Sequence, residues 1–193
     1  MISQAHSCAV AFKEWAGVCD ALLEGRQTLL VRKGGLSEGT GPGNFALEHT
    51  EFWLYPTWVH QAEQGVRARD SSASPVHRID HEGIVPIRAL VRVGPIGYVK
   101  NVETLAELEP FHIFTAETII KRFQYRHPGL WVLGARVWQH DTGFAVAVAP
   151  EHAGCKTWVY LDKPLPVREL TPVLDDVQWD VCCRTLESIF TSR

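Results

Sequence analysis

The sequence lacks a C-x-x-C pair, a strong excess of basic residues and any apolar run long enough to cross a membrane. Its five cysteines are odd in number and two of them, Cys182 and Cys183, are adjacent, which argues against a disulfide framework and a structural zinc site. The longest apolar runs fall well short of the about 18 residues that a membrane-spanning helix needs. The N-terminus has no charged segment followed by an apolar core, so it does not predict a signal peptide. We therefore expect a cytoplasmic protein with no membrane partner.

Net charge and length narrow the class of protein further. The formal net charge is −3, which excludes the overall basic balance typical of a dedicated nucleic-acid binder. Any contact with nucleic acid must therefore come from a local basic patch. The 193 residues, 46% of them hydrophobic, suffice for one globular domain. We expect residues 1–193 to form a single domain, with a candidate mobile loop in the polar stretch 65–83.

The hydrophobic pattern predicts helices towards both ends of the chain and strands between them. Helices are expected over 11–24, 116–126 and 176–191, and strands over 28–32, 45–55, 84–100 and 156–161. The run LWVLGARVW is expected to pair with FAVAVAP through a turn at QHDTG. This arrangement predicts an α+β fold in which the N- and C-terminal helices pack on a largely antiparallel sheet or meander.

The candidate site begins where the first predicted strand ends. That strand delivers Arg32 and Lys33 to the glycine pair Gly34 and Gly35. Backbone N–H groups in glycine-rich turns can point together towards an anion. The four residues therefore form one half of a predicted phosphate-binding site, although the same glycines would equally serve a simple hairpin turn. The pattern is neither a phosphate-binding loop nor a dinucleotide fingerprint.

The other half of this site is expected at the end of the second extended segment. Pro56 breaks that segment, and a short helix capped by Thr57 would follow, with free N–H groups at its start. Gln61 adds a polar contact to the ligand, and His60 is a candidate catalytic acid or base. Glu38 is a second candidate catalytic residue. If the two strand ends meet, they form a pocket for the phosphate of a nucleotide or of a nucleic-acid backbone.

Two other groups of residues are weaker candidates. Nitrogen and carboxylate ligands for Mg²⁺ are available at Glu38, Glu48, His49, Glu51 and His60. They lack the order of an acidic pair followed by lysine that restriction folds use, so no metal site is predicted, and no cofactor can be named. Basic residues also occur in the middle of the chain, among them Arg88, Arg92, Lys121, Arg122 and Arg126. Acidic residues in the same stretch nearly cancel them, which favours a solvated mixed surface.

Four local patterns occur in one order along the chain. They are Lys13-Glu14-Trp15-Ala16, then residues 30–36 followed by Glu38, then residues 52–57 followed by His60-Gln61, and finally residues 153–159. Together they resemble the family called domain of unknown function 1802. Some members of that family are joined to a restriction-endonuclease-like domain, so the resemblance implies a role linked to DNA restriction or defence.

Three functions remain open at this point. The leading hypothesis is a nucleic-acid-associated accessory protein that makes local contacts of weak sequence specificity through the phosphate site. An alternative is a small enzyme that acts on a phosphate-bearing metabolite or nucleotide at the same site. A further alternative is an interaction module that presents its seven tryptophans to a protein partner.

Overall fold

Seven strands and four α-helices make up the part of the chain that the computed structural model describes, which is residues 6–33, 47–58, 65–67, 83–154 and 156–191. The candidate mobile loop at 65–83 therefore lies, apart from residues 65–67 and 83, outside the described residues. In chain order the elements are β1 (Ser7–Trp15), α1 (Ala16–Leu23), β2 (Leu29–Arg32), β3 (Glu51–Thr57), β4 (Ile84–Val99), α2 (Thr104–Glu107), α3 (Ala116–Gln124), β5 (Leu130–Ala147), β6 (Trp158–Pro166), β7 (Leu170–Pro172) and α4 (Asp176–Thr191).

All seven strands belong to one sheet with the order β2-β5-β4-β3-β1-β6, and β7 also pairs with β5. β1 and β3 run parallel to each other, whereas the other strand pairs are antiparallel. The predicted α+β class, with helices on a largely antiparallel sheet, is confirmed.

The two faces of the sheet bury different cores. One face packs against α1, α3 and α4, and side chains such as Leu22, Phe123 and Leu186 are buried there. The other core consists of strand residues, including Trp53 of β3, against which Phe144 of β5 packs with ring centroids 5.4 Å apart. Since β4 lies between β3 and β5, this contact requires the sheet to curl.

The first helix is shorter than predicted, because residues 11–15 belong to β1 and α1 begins only at Ala16. β1 lies between β3 and β6 and is buried on both faces, where it contributes Phe12 to one core and Ala11 to the other. A strand buried on both faces has a continuous apolar run, which periodicity does not separate from a buried helix.

The predicted hairpin through QHDTG is also wrong. β5 continues from Leu130 to Ala147 and pairs with β4 along nearly its whole length. Residues 140–143 of β5 lie opposite the single residue Arg88 of β4, between the pairs Ile87↔Phe144 and Ala89↔Gln139, so β5 accommodates three extra residues in a bulge. Gly143 adopts a φ of 71°, and its N–H donates to Nδ1 of His140 at 3.1 Å. The turn signal was therefore real, but it marks a bulge.

Pro56 does not end the second extended segment, since β3 continues through Thr57. The register between β3 and β4 covers Glu51 to Trp53 only, so the missing N–H of Pro56 leaves no gap in that ladder. On its other side Pro56 lies opposite Glu14 of β1. The predicted short helix after Thr57 falls mostly on residues 59–64, which lie outside the described residues.

The last helix begins at a capping box, as the sequence predicts. The Asp175 carboxylate accepts from the N–H of Gln178 at 2.8 Å, and the Gln178 side chain accepts from the N–H of Asp175 at 3.0 Å. Replacing Asp175 by Ala removes the N-cap acceptor and is expected to lower the free energy of unfolding by about 1 kcal/mol. Urea unfolding measures this change. Asp180→Ala, an exposed position inside the same helix, is the control and should leave the midpoint nearly unchanged.

Candidate functional site

A cleft of about 670 Å³ opens where the parallel strands β1 and β3 end. Because the two strands are parallel, their last residues, Trp15 and Thr57, lie side by side at the same edge of the sheet. The volume of the cleft lies within the range of about 300–1,000 Å³ typical of small-ligand sites. The described lining consists of Lys13, Glu14, Trp15, Arg32, Tyr55, Pro56, Thr57, Trp58, Val85, Arg122, Val148, His152, Ala153, Gly154, Lys156 and Thr157.

The lining of the cleft is positively charged although the chain as a whole is acidic. Its described residues include four lysine and arginine side chains and one carboxylate, against a net charge of −3 for the whole sequence. Because the chain as a whole is acidic, a contact with phosphate needs a local basic patch, and the described lining forms such a patch. A concave surface of one charge sign concentrates ligands of the opposite sign.

The one carboxylate of the lining, that of Glu14, is held in a buried ion pair. Arg32 Nη1 donates to Glu14 Oε2 at 2.7 Å, and the two side chains are 15% and 4% exposed. Arg32 also donates from Nη2 to the carbonyl of Lys13 at 2.7 Å, and its guanidinium lies 4.1 Å from the centre of the Phe12 ring. Arg32 is therefore fixed in position by three different contacts, and it neutralises the charge of Glu14.

Arg122 of α3 brings a second guanidinium to the cleft. This group lies 4.0 Å from the centre of the Trp15 ring and 4.5 Å from that of Phe114. Burial lowers the pKa of Arg122 to about 10, opposed by the charge of Glu14 and assisted by that of Arg32. The group therefore remains charged at neutral pH. It forms neither a hydrogen bond nor an ion pair with any residue that the structure describes.

The far wall of the cleft is formed by Val148, residues 152–154, Lys156 and Thr157. Lys13 Nζ donates to the carbonyls of His152 and Gly154, the latter at 2.9 Å, and the Lys13 N–H donates to the carbonyl of Thr157 at 2.9 Å. The His152 ring accepts from the N–H of Ala149 through Nδ1, which leaves Nε2 as the donor of that ring. Lys13 therefore joins this wall to the end of β1.

Aromatic side chains supply the apolar part of the lining. Trp15, Tyr55 and Trp58 all border the cleft, and the Tyr55 ring meets His152 edge to face at 5.6 Å. Burial raises the pKa of Tyr55, so its hydroxyl stays protonated at neutral pH. The indole N–H of Trp58 has no hydrogen-bond partner among the described residues. Planar walls next to fixed cations suit a ligand that combines a ring with an anion.

Of the residues predicted for the phosphate site, Arg32 and Thr57 both line this cleft. Lys33 is not among its described lining residues. Its ammonium group donates to the carbonyls of Phe123, His127 and Gly129, at 2.5 Å for Phe123 and 2.8 Å for Gly129, so it satisfies acceptors at the C-terminal end of α3. The other predicted members of the site, Gly34, Gly35, Glu38, His60 and Gln61, lie outside the described residues.

Sequence reasoning missed Glu14 and Arg122 as residues that line the cleft. Glu14 was assigned to a helix, and Arg122 to a solvated face. One signal could have found the cleft, because all four local patterns that carry the family resemblance contribute to its lining. These contributions are residues 13–15, Arg32, residues 55–57, and residues 153, 154, 156 and 157.

Other sites that the sequence suggested have less support among the described residues. No group of three or more His, Cys, Asp or Glu side chains there could hold a metal ion. His49 and Glu48 both contact the Tyr160 hydroxyl, at 3.3 and 2.9 Å. Burial raises the pKa of both Cys182 and Cys183, which disfavours the reactive thiolate. No described helix is long and apolar enough to span a membrane.

The chain belongs to the family described as domain of unknown function (DUF1802), whose model matches residues 11–184. Among solved structures, the ASCH protein of Zymomonas mobilis is similar, with 11% identity, a TM-score of 0.44, and coverage of 80% of this chain and 87% of that chain. A Tyr-to-Phe mutant of that protein matches with 11% identity, a TM-score of 0.43 and coverage of 80% and 90%. A Ser-to-Ala mutant matches with 13% identity, a TM-score of 0.42 and coverage of 80% and 88%. No curated protein matches this chain.

Proposed function

We propose that this protein binds nucleic acid through the cleft and holds a backbone phosphate against Arg122. The observation that carries the proposal is the state of Arg122, a partly buried cation without a hydrogen bond or ion pair to any described residue. A charged group removed from water is costly unless an opposite charge compensates it. A phosphate supplies that charge, together with acceptor oxygens that suit a guanidinium.

The rest of the lining supports a nucleotide rather than a simple anion. Lys156 adds positive charge, and the rings of Tyr55 and Trp58 offer surfaces on which a base can stack. A duplex is too wide for a cleft of this size, whereas a single unstacked nucleotide fits. The proposed ligand is therefore single-stranded nucleic acid, or a nucleotide turned out of a duplex.

The proposed biological setting is an accessory role in DNA restriction or defence. It rests on the resemblance to family members that are joined to restriction-endonuclease-like domains. Contacts to phosphate position a protein without reading sequence, so we expect these backbone contacts themselves to add little sequence specificity.

Salt dependence of binding tests the proposed function. We expect a fluorescent ten-nucleotide single strand to bind more tightly than the duplex of the same sequence, because the duplex keeps its bases stacked. If about three phosphates are neutralised, log K should fall with log salt with a slope of about −2. Fluorescence anisotropy at several salt concentrations measures both quantities. Absence of binding to either form at low salt would contradict the proposal.

A small enzyme acting on a nucleotide is the second candidate. The observation in its favour is that a carboxylate, Glu14, and a protonated hydroxyl, Tyr55, border the same cleft and could serve as base and acid. Chromatography of nucleotides and short strands after incubation with the protein would detect turnover. Products formed by the wild type but not by Glu14→Gln would favour the enzyme, and unchanged ligands would leave binding as the function.

A further inference from the structure

The Glu14 carboxylate has acceptor capacity that the described residues do not fill. Oε1 accepts from the N–H of Trp15 at 2.8 Å, and Oε2 accepts from Arg32 at 2.7 Å. An ionised carboxylate has about four lone-pair sites, so each oxygen can accept another hydrogen bond. The two contacts fix the orientation of the carboxylate, and Glu14 belongs to the lining of the cleft. A ligand in the cleft therefore meets a rigid group that accepts hydrogen bonds and donates none.

We infer that Glu14 is a specificity-determining residue that selects a nucleotide whose base carries an exocyclic amino group. This inference rests on the proposed function, because it assumes that the phosphate lies against Arg122 and the base between the aromatic walls. Glu14 and Arg122 both belong to the lining of the cleft, so different parts of one ligand can contact them.

The chemistry of the base edges decides the direction of the preference. The amino groups of cytosine and adenine donate hydrogen bonds, and a carboxylate is their natural acceptor. Uracil and thymine present a carbonyl oxygen at the corresponding position. When the base is held with its exocyclic position against Glu14, that oxygen faces the carboxylate acceptor to acceptor. The hydrogen bond made by an amino group is then lost, and the ring N3–H is the one donor left on that edge of uracil and thymine. The cleft should therefore reject bases without an amino group.

Three ten-nucleotide DNA strands test this inference on the wild-type protein, because they share one backbone and differ only in the base. Of the adenine and cytosine strands, the one with the higher affinity should bind at least about tenfold more tightly than the uracil strand. Equal affinity for all three strands would overturn the inference while leaving the proposed function intact. Binding of none of them would overturn both. An RNA strand extends the comparison. If RNA binds more tightly than DNA and no base is preferred, Glu14 would contact a sugar hydroxyl, and this result would also overturn the inference.

Substitution of Glu14 then assigns the preference to this residue. Glu14→Gln has an amide that both donates and accepts, so it should accept uracil and lose most of the preference. Glu51→Gln is the matched control, because Glu51 is also a strand carboxylate bonded to an arginine, Arg92, at 2.7 Å, but it begins β3 and is not in the described lining. The control should keep the wild-type preference. If a folded Glu14→Gln protein keeps the preference, Glu14 does not determine it. The comparison of the three strands on the wild-type protein can refute the inference without any variant.

Discussion

Replacing Arg122 by Met is expected to weaken the binding of a single-stranded oligonucleotide at least tenfold. Hydrogen bonds between charged groups and a ligand are worth about 1.5–3 kcal/mol, and about 1.4 kcal/mol corresponds to a factor of ten. Met keeps an unbranched side chain that can still fill the space between the rings of Trp15 and Phe114. Removing one phosphate contact should also flatten the salt slope by about 0.7. Fluorescence anisotropy at several salt concentrations measures both effects.

Lys121→Met is the matched control for this experiment. Lys121 precedes Arg122 on α3 and carries the same charge, but its side chain is 74% exposed and pairs with Glu117 in the preceding turn. The two variants therefore lower the net charge equally and differ in whether the lost cation lies in the cleft. Equal affinities for Arg122→Met and Lys121→Met would show that binding depends on overall charge, and the proposed site would then be wrong.

The parts of the fold that the sequence predicted correctly are those set by local signals. The cap at Thr115, whose side chain accepts from the N–H of Thr118, marks the start of α3, and the capping box marks the start of α4. The errors concern strands whose state depends on distant partners. β1 became a strand because β3 and β6 pair with it on either side, and β5 stayed continuous because both of its halves pair with β4. Such pairings are not encoded in a short window of sequence.

The candidate site was only partly predictable for the same reason. Arg32 could be found because a strand and a glycine turn flank it in the sequence. Glu14 and Arg122 are 108 positions apart in the sequence, and both come to line the cleft because Glu14 lies at the end of β1 and Arg122 on α3. Their separate environments gave no sign of this. Lys33 has a cationic side chain of the kind that binds phosphate, but its ammonium group contacts carbonyl groups at the end of α3 instead.

Replacing Trp179 by Ala is expected to cost about 3–5 kcal/mol of the free energy of unfolding, the largest stability effect predicted for this chain. Trp179 lies on α4, is 7% exposed and belongs to the core between the helices and the sheet. Its ring occupies space above Gly94 of β4, where an added Cβ would lie 2.6 Å from the ring. The glycine thus allows α4 to approach the sheet closely, and the small side chain of Ala would leave a cavity that the sheet cannot collapse to fill.

Guanidinium-induced unfolding measures the expected loss, and Val177→Ala on the same helix is its control. Val177 is 73% exposed, so its replacement removes little buried surface and should change the midpoint only slightly. An unchanged midpoint for Trp179→Ala would contradict the burial of α4 against β4. The comparison also bears on the cleft, because α4 does not contribute to its described lining. A Trp179→Ala protein that is destabilised but still folded should therefore bind oligonucleotides with wild-type affinity, whereas Arg122→Met should lose affinity with little loss of stability.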